Sequence, residues 1–170
     1  MKGFRVRLAL VLSALVGCGA VAAVVYARTA ATTKGTVLTP QDYQEISQLY
    51  SVTYQGNDLG DQAQWLSGFA DDIVFRFPGG EEVKGKKALA DRLARGFVEK
   101  RADKKRRHWF TSIVIKPSTE GAIARAFFGV LDVSGKQAAI VSTGVMDDVF
   151  VKTRDGWKFK VHLIHTDTEL

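Results

Sequence analysis

Four long segments rich in Val, Ile, Phe and Thr occupy the C-terminal part of the 170-residue chain, and they restrict its fold more than any other feature. These segments are separated by pairs of residues that are typical of turns between antiparallel strands, namely Pro117-Ser118, Ser134-Gly135 and Asp155-Gly156. Strands of this length fit a bent sheet better than a flat one. The four predicted strands cover residues 108–115, 122–133, 138–151 and 157–165.

Helical patterns come before these strands. Thr39-Pro40-Gln41-Asp42 predicts a helix start, because threonine is a capping residue, proline fits the first helical position and the aspartate completes a capping box. Apolar residues then recur at a spacing of three to four as far as Tyr54, and the turn-forming residues 55–58 predict that the helix ends there. The remaining predicted elements are helices over 60–69 and from Gly85, and a strand over 72–77.

The order of these elements predicts an α+β fold. Three helices and one strand are followed by hairpins, so we expect one curled antiparallel sheet with the three N-terminal helices packed on its concave face. A sheet curled in this way is cone-shaped inside and leaves a cavity suited to a small molecule. We place this domain at residues 39–170, after a linker over 28–38.

The formal net charge of +6 does not belong to this domain. Residues 1–33 hold four of the 24 Lys and Arg residues and no acid, so the rest of the chain carries 20 basic against 18 acidic side chains. A nearly neutral domain without a known binding motif argues against a nucleic-acid partner. The chain has a single Cys and no CxxC or HExxH spacing, so we expect neither a disulfide framework nor a metal site.

Residues 1–27 form a leader that is first basic and then apolar. The 19 uncharged residues from Leu8 to Tyr26 would, as a helix, be about as long as a bilayer is thick. Three fates are open: a signal peptide cut after Ala27, a retained membrane anchor, or a lipoprotein leader lipidated at Cys18. A buried helix of the fold is a fourth reading. The basic N-terminal end favours export, which puts the domain outside the cytoplasm as a secreted, cell-envelope or membrane-anchored protein.

One stretch of the domain concentrates positive charge. Residues 100–107 include six Lys and Arg side chains. The plain interpretation is the solvated end of the third helix, where bases suit the negative end of the helix dipole. In a domain tethered beside a membrane, the same side chains are a candidate contact for anionic lipid head groups.

Four short motifs follow one another along the domain. They are Tyr50-Ser-Val-Thr-Tyr54-Gln55-Gly-Asn-Asp58, Phe69-Ala-Asp-Asp-Ile-Val-Phe75, Arg107-His108-Trp-Phe110 and Arg154-Asp-Gly-Trp-Lys-Phe159. In their order and spacing they resemble the SnoaL-like and scytalone dehydratase-like branch of the nuclear transport factor 2-like superfamily. The resemblance spans residues 40–166, and it implies the same curled-sheet fold and a homodimer formed through the outer face of the sheet.

Dehydratases of this branch share a pocket made of a helix tyrosine, an aspartate one turn further on, a strand histidine and a His or Asp on the next strand. The resemblance places the tyrosine at Tyr50, with Tyr54 as a second candidate, the histidine at His108 and its partner at Asp132. The helix aspartate falls on Gln55, an amide that cannot titrate. Asp58 takes the place of the family's helix aspartate if its side chain points toward the cavity, although an aspartate in a turn is more often exposed.

The resemblance implies chemistry that requires neither a metal nor a cofactor. A neutral His108 held by Asp132 would take a proton next to a carbonyl that a tyrosine polarises, and a β-hydroxyl would then leave. The candidate catalytic residues are therefore His108, Asp132 and Tyr50, and the candidate ligand-binding residues are Tyr54, Gln55 and His162.

Two functions remain open at this point. One is a lyase or isomerase acting on a small hydrophobic, oxygenated molecule, and the other is a non-catalytic ligand-binding or dimerisation module. Two-residue alternation puts His162 and His165 on opposite faces of the last strand, so one of them can line the cavity. We interpret Asp147 and Asp148 as a charged pair at a strand edge, because burying two adjacent carboxylates without a metal is costly.

Overall fold

The computed structural model of the chain describes residues 36–94 and 105–169. The predicted leader, and most of the linker and of the basic stretch 100–107, lie outside these residues. Within them, no helix is long and apolar enough to cross a membrane. The described elements are α1 (Pro40–Leu59), α2 (Gln62–Ser67), β1 (Phe69–Arg76), β2 (Glu82–Lys84), α3 (Lys86–Ala94), β3 (Arg106–Ser118), β4 (Gly121–Asp132), β5 (Ala139–Thr153) and β6 (Gly156–Thr166).

Helix α1 starts as its sequence predicts. The Thr39 hydroxyl accepts a hydrogen bond from the Asp42 N–H, and the Asp42 carboxylate accepts one from the Thr39 N–H, which is a complete capping box. Asp42 also accepts hydrogen bonds from Lys152 Nζ at 2.6 Å and from Trp157 Nε1 at 3.0 Å. The Lys152 ammonium holds the pKa of the Asp42 carboxyl well below its usual range. The cap therefore also ties the start of α1 to β5 and β6.

The end of α1 differs from the prediction, because the helix continues for five residues past Tyr54. Gly60 ends it with φ of 77°, a left-handed conformation that favours glycine. Gly56 lies inside the helix and allows α2 to approach closely, since a Cβ at this position would lie 2.6 Å from the backbone nitrogen of Trp65. Residues 55–58 are thus the last turns of a helix, which fixes the direction in which Asp58 points.

The strands form one curled sheet in the order β2-β1-β6-β5-β4-β3, which does not close into a barrel. All neighbours are antiparallel except β1 and β6, which run parallel, a pairing that the predicted antiparallel sheet did not include. The α+β architecture, with helices packed on the concave face, is confirmed. The core between α1 and this face is aromatic, with Tyr50, Trp65, Phe69, Phe75, Phe150 and Phe159 all buried.

Candidate active site

A cavity of about 220 Å³ lies between α1 and the concave face of the sheet. Its wall is largely apolar and aromatic, which suits the apolar body of a small molecule. Three polar side chains of α1 and β3 reach this wall, namely those of Tyr54, Asn57 and His108. The other lining residues are Trp65, Phe75, Phe77, Pro78, Leu93, Phe128, Val130, Ser142, Met146 and Ile164.

Asp58 and His108 form an imidazole–carboxylate pair at this wall. The Nδ1–H of His108 donates to Asp58 Oδ1 at 2.5 Å, and the backbone N–H of His108 donates to Asp58 Oδ2 at 2.8 Å. The Asp58 side chain is 7% exposed and that of His108 is 15% exposed. Because a carboxylate accepts the Nδ1 proton, a neutral His108 carries its lone pair on Nε2. The pair therefore presents a fixed proton acceptor at the cavity wall.

The predicted pairing of His108 with Asp132 is wrong. In the β3–β4 ladder His108 stands opposite Val130, and Asp132 lies two positions further, opposite Arg106. The Asp132 carboxylate accepts hydrogen bonds from the backbone and hydroxyl of Ser134 and is 3.7 Å from the Arg106 guanidinium. Asp132 thus stabilises the turn after β4, while Asp58 holds the histidine.

A second imidazole–carboxylate pair is buried behind the cavity wall. The Nδ1–H of His162 donates to Asp148 Oδ1 at 2.5 Å, and the Tyr50 hydroxyl donates to the other oxygen of the same carboxylate. The Nε2 of His162 lies 2.6 Å from the Tyr54 hydroxyl oxygen, which is also 3.6 Å from Sδ of Met146. Tyr50, Asp148, His162 and Tyr54 are each less than 5% exposed.

This buried chain changes the roles predicted for two residues. Tyr50 does not line the cavity, and its hydroxyl is committed to Asp148. Burial, reinforced by the negative charge of Asp148, raises the pKa of the Tyr50 hydroxyl well above its ordinary value, so the group stays protonated and keeps donating. His162 is fully buried behind Tyr54 and is not part of the cavity wall. Tyr50 as a catalytic residue and His162 as a direct ligand contact are therefore corrected.

Gln55 is exposed and does not take part in the site, so its assignment to ligand binding is also corrected. On a helix, neighbouring residues point about 100° apart, whereas residues four apart share a face. Tyr50, Tyr54 and Asp58 follow this spacing and face inward together, while Gln55 faces solvent. The same spacing, applied to a helix that runs on to a terminal glycine, is the sequence signal that identifies Asp58.

The interpretation of Asp147 and Asp148 as one charged pair is wrong, because the two side chains lie on opposite faces of β5. Asp147 points outward and forms a two-point ion pair with Arg125. Asp148 points inward, is 3% exposed and sits directly opposite His162 in the β5–β6 ladder. Among the residues described, no group of three or more His, Cys, Asp or Glu side chains is placed to hold a metal ion.

An open curled sheet that carries helices and a cavity on its concave face is the cystatin-like fold of the NTF2-like superfamily. Within that superfamily the chain belongs to the SnoaL-like domain family, whose model matches residues 39–162. The matched range includes both imidazole–carboxylate pairs. No curated protein matches the chain.

Several solved structures share the fold. Aln2 from a Streptomyces species superimposes with a TM-score of 0.69 at 21% identity, over 78% of this chain and 96% of that one. ActVI-ORFA from Streptomyces coelicolor has a TM-score of 0.65 at 22% identity, over 74% and 98%. A Catenulispora acidiphila protein in complex with S-DNPA has a TM-score of 0.67 at 23% identity, over 76% and 96%. The chain is similar to these proteins in fold.

Proposed function

We propose that the domain binds a small, apolar, oxygen-bearing molecule in its cavity and catalyses an elimination or isomerisation with His108 as the base. The observation that carries this proposal is the Asp58–His108 pair at the wall of an otherwise apolar cavity. A non-catalytic ligand-binding module needs the cavity but has no need of a histidine held by two hydrogen bonds to one carboxylate.

The pair suits proton transfer for a physical reason. Asp58 fixes the ring orientation and the tautomer of His108, and it stabilises the imidazolium that forms when Nε2 takes a proton. The proton would come from a carbon next to a carbonyl, and a β-hydroxyl would leave from the adjacent carbon. The same imidazolium can then return its proton, so no external acid or base is consumed.

The relatives support a small-molecule ligand. The SnoaL-like family match includes every residue that lines the cavity except Ile164, and a protein of the same fold has been solved with S-DNPA bound. The predominance of aromatic and aliphatic side chains in this cavity favours a ligand with a flat or compact apolar body.

The proposal is tested with 5-nitrobenzisoxazole, a compact bicyclic probe that opens when a base removes its C–H proton. The C–H electron pair forms the nitrile, the N–O bond breaks and a coloured phenolate leaves. We expect the wild-type protein to accelerate this reaction, and His108→Gln to lower the rate by about 10²- to 10⁴-fold, the usual contribution of a general base. Absorbance of the phenolate measures the rate.

The matched control is His165→Gln, which removes a histidine from β6 whose side chain points away from the cavity. It should keep the wild-type rate. If the two variants and the wild type react equally, the catalytic proposal is wrong. Saturable binding of the probe without acceleration would support the ligand-binding module instead.

We also propose that the domain forms a homodimer through the outer face of its sheet. The exposed fractions of Trp109, Phe127 and Ile140 on β3, β4 and β5 are 62%, 50% and 67%, which is unusual for large apolar side chains. Covering this face would remove them from water. We expect a dimer in light scattering, and a monomer when Trp109 and Phe127 are both replaced by Lys; a monomeric wild type would contradict this proposal.

The location of the domain is likewise a proposal, supported by the leader sequence. We propose that residues 1–27 direct export and that the basic stretch 100–107 contacts anionic lipids where the domain stays tethered. The mass of the mature N-terminus distinguishes cleavage after Ala27, lipidation at Cys18 and retention. A protein recovered with an intact N-terminus in the cytoplasmic soluble fraction would contradict export.

A further inference from the structure

Ser142 on β5 lines the cavity, but the proposed reaction at His108 gives it no role. Its side chain is half-buried, and its hydroxyl has no hydrogen-bond partner among the residues that the structure describes. The Tyr54 hydroxyl at the same wall differs, because it lies 2.6 Å from Nε2 of His162 and is already hydrogen-bonded there. A serine hydroxyl donates one hydrogen bond and accepts two, so Ser142 keeps this capacity for a ligand.

The strand ladders place Ser142 in line with His108. Val130 on β4 stands opposite His108 on one side and opposite Ser142 on the other. Residues directly opposite each other in a ladder share one face of the sheet, and all three of these residues line the cavity. The Cα atoms of His108 and Ser142 are therefore about 10 Å apart, which is two spacings between neighbouring strands.

A β-bulge next to Ser142 ends this alignment. Val130 pairs with Ser142, but the next residue of β4, Leu131, pairs with Ile140, so Val141 is an extra residue in β5. Bulges are frequent beside functional sites, where they change the direction of a side chain or end the regular pairing. Ser142 is thus the last residue of β5 that the constant register keeps in line with the cavity wall.

The surface between His108 and Ser142 is apolar. Val130 lies between them on the sheet, and Phe77 and Leu93 belong to the same cavity wall. A ligand oxygen placed against these side chains would lose its hydrogen bonds to water without a replacement. Oxygens of a bound molecule are therefore favoured at the two ends of this stretch, where His108 and Ser142 can bond to them.

We infer that Ser142 is a ligand-binding residue whose hydroxyl forms a hydrogen bond with a second oxygen of the ligand, remote from the carbon that His108 deprotonates. This narrows the substrate class to flat, compact, apolar molecules about as long as two fused six-membered rings, with a carbonyl at one end and a hydroxyl or carbonyl at the other. The inference rests on the proposed function, because it describes the substrate of the same site.

Two ketones test the role of Ser142. The compound 6-hydroxy-2-acetylnaphthalene carries the remote hydroxyl, and 2-acetylnaphthalene lacks it. Calorimetric titration of the full-length protein gives the Kd of each. We expect Ser142→Ala to raise the Kd of the hydroxylated ketone by about 2- to 10-fold, the usual contribution of one neutral hydrogen bond, and to leave the other Kd unchanged. Ser142→Thr keeps a hydroxyl and should retain the wild-type ratio of the two Kd values.

The matched control is Thr143→Ala, which removes the neighbouring hydroxyl of β5 from the outer face, where it donates to Asp167. It should leave both Kd values unchanged. The inference is overturned if Ser142→Ala weakens both ketones equally or neither of them, or if the wild type does not bind the hydroxylated ketone. A Thr143→Ala protein that behaves like Ser142→Ala also overturns it, because distortion of the strand would then be the cause.

A second readout separates this inference from the proposed function. In D₂O, Nε2 of His108 would take a proton from the methyl group next to the carbonyl, and the C–H electron pair would form an enolate. The Nε2 proton exchanges with solvent, and a deuteron returns to the same carbon. Proton NMR measures the loss of the methyl signal.

We expect His108→Gln to slow this exchange in both ketones without changing the ratio of their Kd values. If the exchange does not depend on His108, the proposed function is wrong, and the ratio of the Kd values still decides the role of Ser142. If the exchange depends on His108 while Ser142→Ala leaves that ratio unchanged, the inference is wrong and the proposed function stands.

Discussion

Replacing Asp58 by Asn should lower the rate of 5-nitrobenzisoxazole opening by about 10²- to 10⁴-fold while the protein stays folded. Asp58 accepts the Nδ1–H of His108 at 2.5 Å, which leaves the lone pair on Nε2. An amide at this position can donate its N–H to Nδ1, and the ring proton then moves to Nε2. His108 would present a donor to the cavity where the reaction needs an acceptor. The measurement is kcat from phenolate absorbance, with circular dichroism as the check on folding.

The matched control for this substitution is Asp132→Asn, which alters another carboxylate near the same strands. Asp132 bonds to Ser134 and lies near Arg106, so this variant should react at the wild-type rate. The opposite result, a slow Asp132→Asn with an active Asp58→Asn, would show that His108 pairs across the hairpin and that the α1 carboxylate does not act.

Replacing Asp148 by Ala should reduce the free energy of unfolding by about 2–6 kcal/mol, because each of two buried hydrogen-bond donors that loses its acceptor costs about 1–3 kcal/mol. The substitution leaves the Tyr50 hydroxyl and the Nδ1–H of His162 without their acceptor in the core, and it also opens a small cavity. Urea denaturation measures the change as a fall in midpoint at constant slope.

The neighbouring substitution Asp147→Ala provides the control, because it removes the same side chain from the outer face of the same strand. Its ion pair with Arg125 is half-exposed, and such pairs contribute about 0–1 kcal/mol. If Asp147→Ala lowered the free energy of unfolding strongly and Asp148→Ala lowered it only slightly, the inward and outward faces of β5 would be reversed.

The strands and the fold class were predictable from sequence because they depend on local patterns. Alternation of apolar residues and the turn pairs place the four long strands to within two or three residues of their ends. The end of α1 was not predictable in the same way. Gly56, Asn57 and Asp58 are ordinary turn residues, but in the structure they are helical and Gly56 packs closely against Trp65 in α2, a tertiary contact that a local pattern does not show.

The partners within the site were harder to predict, because they depend on register. From the Asp155-Gly156 turn the β5–β6 hairpin keeps a constant register as far as the pair Phe150 and Phe159. If this register continued, Asp148 would stand opposite Val161. An irregularity between Val149 and Phe150 shifts the register by one residue and brings Asp148 opposite His162. Neither Val149 nor Phe150 indicates this shift in the sequence. The burial of Asp148 was therefore missed, because the sequence argument relied on the cost of burying two adjacent carboxylates.

The parallel pairing of β1 with β6 has a consequence for how the candidate site forms during folding. Phe69 stands opposite Phe159 in that pairing, so the first strand of the domain gains its inner neighbour only from the last one. Such long-range contacts are formed late and slow folding down. Because β6 also carries His162, a nascent chain that lacks its final strand holds neither a complete sheet nor the support of Tyr54. We therefore expect the sheet and the candidate site to form together, once the whole domain has been synthesised.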